Sequence, residues 1–249
     1  MDLVHPIAVG NTAAIYRLND KVVKVFKEGF PENVSVHEAK KQAFAYECGL
    51  NVPEIIEVTE INGRQVIIME YIEGVTIGER LLRDMGQADY FIDICVHVQQ
   101  TIHQTSIQET SIEWMTDKLS CQIKTSKYLS ETMKTLLLRG LTSTEFEPRL
   151  CHGDFHPFNV IMNKGRLIII DWADSSLGDI RADIYRTFLL LSQSSADIAQ
   201  KYLCTCCLRT GLSQEEIFQW APFVAGARLS EEIPFEEKKS LRKMLDAFI

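Results

Sequence analysis

The spacing of apolar positions changes character near residue 75. Before that point it is mostly the spacing of strands. Residues 3–9 and 13–18 predict a strand pair joined at Gly10-Asn11-Thr12, and 21–26 alternates as a third strand after the Asn19-Asp20 turn. Residues 31–48 interrupt with helical spacing of Val36, Ala39, Ala43 and Tyr46, and Gly49 stands where helices commonly stop. Residues 53–61 and 64–71 predict a hairpin about Asn62-Gly63. After Glu73-Gly74 the period becomes that of helices, over 76–84, 89–105 and 112–138, and again over 179–193, 196–209, 214–227 and 236–248. Between these blocks, 160–162 and 166–170 are apolar, β-prone runs around Asn163-Lys164-Gly165. The pattern predicts an α+β chain in which a small antiparallel β-sheet lobe with one helix (1–72) precedes a larger helical lobe (73–249) carrying the inserted hairpin. One compact unit with a cleft is the expectation.

The inserted segment holds the most specific chemistry. His152-Gly153-Asp154-Phe155-His156-Pro157-Phe158-Asn159 places an amide five residues after a carboxylate, and Asp171 follows the hairpin. Folding the chain about Lys164 brings Asn159 alongside 169–171, so two oxygen donors distant in sequence become neighbours. Phosphoryl transfer needs such a set: one carboxylate facing the nucleophile, and an amide and a second carboxylate holding the metal on the nucleotide.

Upstream, alternation puts Val22, Lys24 and Phe26 on one strand face, so Lys24 sits among apolar neighbours. Taken by itself, it is better explained as a surface lysine on an edge strand. Over a nucleotide site it would neutralise α- and β-phosphate oxygens and would need a carboxylate to hold it. Glu38 on the following helix suits that task; Glu47 is the rival near the helix end. Backbone N–H groups of Gly10, Asn11 and Thr12 could cover phosphates, although one glycine makes no Gly-rich motif and a plain turn fits too. The extended Met69-Glu70-Tyr71-Ile72 connection could offer the Glu70 C=O and Ile72 N–H to a purine edge, or merely join the lobes.

The His-x-Asp-x-x-x-x-Asn pattern of His152, Asp154 and Asn159 resembles the catalytic loop of the aminoglycoside phosphotransferase and choline kinase-like family. Ile169-Ile170-Asp171-Trp172 resembles that family's metal-binding strand end. The segment from Gly178-Asp179 to Asp183 is similar to its Gly-Asp-Pro segment, with Ile180 in place of proline. His37-Glu38-Ala39 followed by Gly49-Leu50-Asn51-Val52-Pro53 extends the likeness and favours Glu38 over Glu47. The resemblance implies a protein-kinase-like two-lobed fold and transfer of the γ-phosphate of ATP or GTP to a hydroxyl of a small molecule, aminoglycoside-like, amino-alcohol or sugar. It implies Asp154 as catalytic base or orienter, Asn159 and Asp171 as Mg²⁺ ligands, and His152 and Asp183 as braces of the loop. Asp174 is expected to be solvated. A protein kinase is the second reading, against which stand His-Gly-Asp, Ile-Asp-Trp and the lack of an Ala-Pro-Glu segment after Asp171. The third is a nucleotide-binding regulatory pseudokinase, against which stands retention of Lys24, Glu38, Asp154, Asn159 and Asp171 together.

Composition narrows the partners. Twenty-six basic against 34 acidic residues give a net charge of -8, which disfavours non-specific nucleic-acid binding and would suit a cationic acceptor. Glu231, Glu232, Glu236 and Glu237 could line an acceptor pocket, but helix-dipole preference and solvation explain them as well. The longest apolar runs, such as 167–170 and 188–191, are too short to span a bilayer, and the first residues show no signal pattern, so a cytoplasmic protein without membrane partners is expected. Seven cysteines, an odd number, fit reduced thiols, and the 204, 206 and 207 group lacks a second pair for zinc. Oligomeric state is not readable from these features.

Overall fold

A computed structural model of the chain describes residues 5–107 and 112–247. Residues 3 and 4 of the expected first strand and residue 248 of the expected last helix lie outside these. In chain order the strands are β1 (Ala8–Val9), β2 (Ala13–Leu18), β3 (Lys21–Phe26), β4 (Ile55–Ile61), β5 (Arg64–Glu70), β6 (Val75–Thr76), β7 (Arg149–Cys151), β8 (Val160–Asn163), β9 (Arg166–Ile169) and β10 (Ser176–Gly178). The helices are α1 (Val34–Glu47), α2 (Ile77–Arg83), α3 (Ala88–His103), α4 (Met115–Thr125), α5 (Glu131–Thr142), α6 (Ile180–Ser194), α7 (Ala196–Thr210), α8 (Gln214–Phe218), α9 (Ala221–Arg228) and α10 (Phe235–Asp246). Packing divides the chain into two units: Met1–Arg83 with Pro157–Ser175, and Asp84–His156 with Ser176–Ile249.

The first unit is built on an antiparallel five-stranded sheet of order β1-β2-β3-β5-β4. Its central strand shows why alternation matters. Phe26 on one face packs with Ala39 of α1, whereas Val23 and Val25 on the other face pack with Val66 and Ile68. Lys24 shares the Phe26 side. Helix α1 stops at Gly49, whose φ of 83° permits the Leu50 N–H to Ala45 O bond (3.2 Å) and the Gly49 N–H to Tyr46 O bond (2.9 Å). The sequence pattern drew the lobe boundary at 72 and gave the 160–170 hairpin to the helical part. By packing, the unit continues to Arg83 and includes the hairpin, because β6, β8 and β9 form one three-stranded sheet and the Ile169 N–H donates to Asn51 O at 2.8 Å. Gly78 at the start of α2 lets this sheet's flank close tightly, since a Cβ there would stand 2.5 Å from the Phe158 ring.

The second unit is helical, with α6 against α7 and α8, α3 against α7, and α4 against α5 and α9. Its core holds fully buried Trp220, Tyr185, Tyr202, Phe155 and Ile102. Two expected helices are each split. Residues 112–138 were one helical pattern, yet Ser126 turns extended after α4, and Ser130 caps α5 by accepting from the Met133 N–H at 3.3 Å. Residues 214–227 divide at Pro222, which has no N–H for a continuing helix and sits in the first turn of α9. No helix among the described residues is long and apolar enough to cross a membrane.

Candidate active site

The first unit supplies a buried cation held by two carboxylates. Lys24, in mid-strand, pairs with Ile15 on β2 and Ile67 on β5, which closes both edges against solvent. Its side chain is 10% exposed, and its Nζ lies 2.5 Å from Glu38 Oε1 and 3.2 Å from Asp171 Oδ1. Burial by itself would lower the lysine pKa, but the charges of Asp171 and Glu38 hold it above the ordinary value. Burial pushes the Glu38 carboxyl up against the opposing pull of Lys24. Glu47 is exposed near the end of α1, and Glu38 is the carboxylate that meets the lysine.

The β8–β9 hairpin delivers the two oxygen donors. Lys164 and Gly165 both have positive φ (46° and 83°), the backbone of a type I′ turn whose twist matches paired strands. The resulting register sets Val160 opposite Ile169, and the Ile170 N–H donates to Asn159 O at 3.0 Å. Asn159 is buried, and Asp171 follows two residues beyond the last paired position. Asp171 adopts φ 64°, a left-handed backbone that non-glycine residues seldom occupy and that functional sites often retain. Trp172 anchors the turn through Nε1–H to Ile169 O (3.2 Å), and Lys41 Nζ donates to Ala173 O (2.9 Å). Asp174 is half-buried, less solvated than expected. Gly10, Asn11 and Thr12 form the exposed β1–β2 turn, closed by Gly10 N–H to Ala13 O at 2.9 Å. The Glu70 N–H is bonded to Glu54 O, and Ile72 lies just beyond β5.

The second unit carries Asp154 on the loop after β7. Strand β7 pairs with β10, setting Cys151 opposite Ser176. Gly153, at φ 79°, then turns its N–H onto Asp183 Oδ1 at 2.7 Å. Asp183, on α6, also accepts from Gln99 Nε2 (2.9 Å) and contacts His103 Nε2 (2.8 Å), all of it buried. Burial would raise its pKa, but these partners bring it down to about 2. His152 is fully buried against Phe155, and its Nδ1 accepts from the Asp154 N–H at 3.4 Å. Thus Asp183 holds the loop backbone, as does His152. His103, Cys151 and Asp183 bring potential ligand atoms within 4.8 Å, yet the Asp183 oxygens are already engaged and burial raises the Cys151 thiol pKa well above its ordinary value. Ile180 begins α6 as its first helical residue, a position that accepts proline without requiring it.

The Asp183 carboxyl gives a prediction for acid stability. Its folded pKa of about 2 lies below its ordinary 3.8, so its contribution is complete above pH 4 and is lost as pH falls through 2. The loss amounts to about 2 kcal/mol. Urea unfolding at stepped acid pH should show this decline in the native chain, and a much weaker one in Asp183→Asn.

Sequence reasoning passed over the cations around Asp154. Arg186 Nη2 lies 3.3 Å from Asp154 Oδ1, and its Nη1 lies 3.0 Å from Glu231 Oε1. Arg228 Nη1 reaches Glu231 Oε2 at 2.7 Å, and its Nε bonds Glu237. Arg186 comes one helical turn after Asp183, but its partners are 32 and 45 residues away, so no local spacing announces the pairings. Gln99 and His103 had a fainter signal, as two polar residues four apart on the apolar face of α3.

A buried lysine between two carboxylates, an Asn and an Asp at the two ends of one hairpin, and a braced aspartate loop accompany a fold shared with kinase-like phosphotransferases. The chain belongs to the phosphotransferase enzyme family (APH), whose profile matches residues 4–203. Among solved structures it is similar to aminoglycoside phosphotransferase APH(4)-Ia in a thermostable apo form, with 13% identity and a TM-score of 0.72 over 98% of this chain and 92% of that one. It is similar to amicoumacin kinase hAmiN, at 12% identity and 0.67 over 98% and 87%. It is also similar to a choline/ethanolamine kinase family protein from Mesorhizobium loti, at 14% identity and 0.63 over 98% and 88%. At these identities the likeness is one of fold. No curated protein sequence matches the chain significantly.

Proposed function

We propose that the chain transfers the γ-phosphate of ATP to a hydroxyl of a small molecule. The observation that carries the reading is Lys24, a buried ammonium shared by Glu38 and Asp171 in the same unit as Asn159. In this reading the first unit is the nucleotide-binding one. Lys24 neutralises phosphate oxygens, held in place by Glu38. The Gly10–Thr12 turn covers the phosphates, and the Glu70 C=O and Ile72 N–H meet the purine edge. Asn159 and Asp171 offer hard oxygen donors, a set that suits Mg²⁺ and not a soft metal, and these two would hold it. When bound, the ion supplies further neutralisation of the transferring phosphate's charge. Asp154 orients the acceptor hydroxyl and accepts its proton late in transfer, since a loose transition state asks mainly for positioning. ADP and AMP-PNP are the nucleotides in complexes of the similar phosphotransferases, which supports ATP over GTP here. The hygromycin B complex of APH(4)-Ia supports a hydroxylated small-molecule acceptor.

A thermal-shift titration tests the donor half of the reading. Magnesium ATP at about a hundredfold its Kd should stabilise the chain by about 2.7 kcal/mol, and magnesium GTP by less. An unmoved Tm with both nucleotides overturns the assignment.

A further inference from the structure

The second unit contains a cavity of about 760 Å³ that no role described above uses. Its walls include Tyr185, Phe188, Phe218 and Met244, and its polar lining includes Gln193, Glu237 and three serines, Ser192, Ser194 and Ser240. The three rings pack against one another: Tyr185–Phe218 and Phe188–Phe218 centroids are each 5.2 Å apart. This wall is stiff and apolar. Along α6 the lining runs from Tyr185 through Phe188 and Leu189 to Gln193, so the cavity lies beside the stretch of helix that carries Arg186.

Charge links the cavity to Asp154. Gln193 and Arg228 both bond Glu237 at the cavity wall, Arg228 holds Glu231, and Glu231 holds Arg186, which pairs with Asp154. Three carboxylates thereby face two guanidiniums, leaving one net negative charge. Glu231 and Glu237, which might have met amines of a polycation, are engaged by arginines, and Glu237 is only 9% exposed. Glu232 and Glu236 are exposed and line no wall. A polycationic acceptor would need several carboxylates without internal partners, whereas aromatic walls reward an apolar body.

We propose that this cavity receives the acceptor, and that the acceptor is a hydroxylated molecule with an aromatic or aliphatic body and no more than one positive charge. The proposal rests on the phosphotransferase reading and narrows it, setting aside the aminoglycoside-like polycation expected from resemblance.

Binding to the full chain can be followed by saturation-transfer NMR, with 2-phenylethanol as the neutral probe and kanamycin as the polycation. The expected result is a signal from 2-phenylethanol that kanamycin does not displace. Leu189→Asp puts a carboxylate into the apolar wall and should weaken the probe by about tenfold or more. Should Leu189→Asp fail to fold by circular dichroism, Ser240→Trp decides in its place. It fills the cavity from an exposed position on α10 and should cause the same loss. The assignment is overturned if 2-phenylethanol does not bind, if a folded Leu189→Asp or Ser240→Trp binds it unchanged, or if kanamycin displaces it. Magnesium ATP stabilisation is read separately on the same samples. Probe binding without nucleotide stabilisation removes the phosphotransferase reading and with it the acceptor role. Nucleotide stabilisation with kanamycin in place of the alcohol removes only the cavity assignment.

Discussion

Asp154→Ala should lower kcat for phosphoryl transfer by about a thousandfold while leaving the Kd for magnesium ATP within a few fold, the scale of loss when a positioned acid–base group is removed. The carboxylate is 27% exposed and stands on a loop whose backbone is held independently, by the Gly153 N–H on Asp183 and by buried His152. Its removal should therefore not collapse the fold. It removes one partner of Arg186, and Glu231 remains as another. Single-turnover measurements with magnesium ATP and a validated acceptor, alongside nucleotide titrations, separate the two quantities. Unchanged turnover would remove Asp154 from the reaction, and a parallel collapse of nucleotide affinity would point to a structural role.

Lys24→Ala carries the second large effect, on stability and nucleotide binding together. Deleting the ammonium leaves Glu38, 5% exposed in its side chain, without its cation and close to Asp171. Stranding a buried carboxylate costs about 3–5 kcal/mol. A paired substitution distinguishes the two roles of this lysine. Lys24→Met with Glu38→Gln removes both charges while preserving volume, and should recover most of the lost stability in chemical denaturation. It should not recover nucleotide affinity, because phosphate oxygens would still lack their cation. Recovery of both would make the pair purely structural; recovery of neither would mean that Asp171 and the packing around it dominate this corner of the unit.

Contacts in this chain are legible from sequence when their determinants lie within a few residues of one another. Lys24 and Glu38 meet because strand alternation and helix period each fix a face, and both are readable over a few residues. The Asn159–Asp171 approach follows from one tight turn at Lys164-Gly165, so its register could be anticipated. Arg186 could not, since its salt bridges to Asp154 and Glu231 depend on how loops and helices far apart in sequence come to rest. The break at 126–130 was hidden for another reason. Periodicity continues through it, and only the competition between Ser130 as a cap and as a helix interior residue decides the outcome. The lobe boundary at 72 followed the change of period, whereas packing follows the partners that β6 and α2 find in 157–163.

That last feature bears on how such a chain can be dissected or inherited. The first unit is contiguous in space and interrupted in sequence. A fragment ending at Arg83 would leave β6 without β8, the Gly78 notch without Phe158, the Asn51 carbonyl without the Ile169 N–H, and Lys24 without Asp171. Neither expression as a truncated fragment nor shuffling by a single crossover would carry this unit intact. The module that evolution can copy in one piece is the whole chain through at least Ser175.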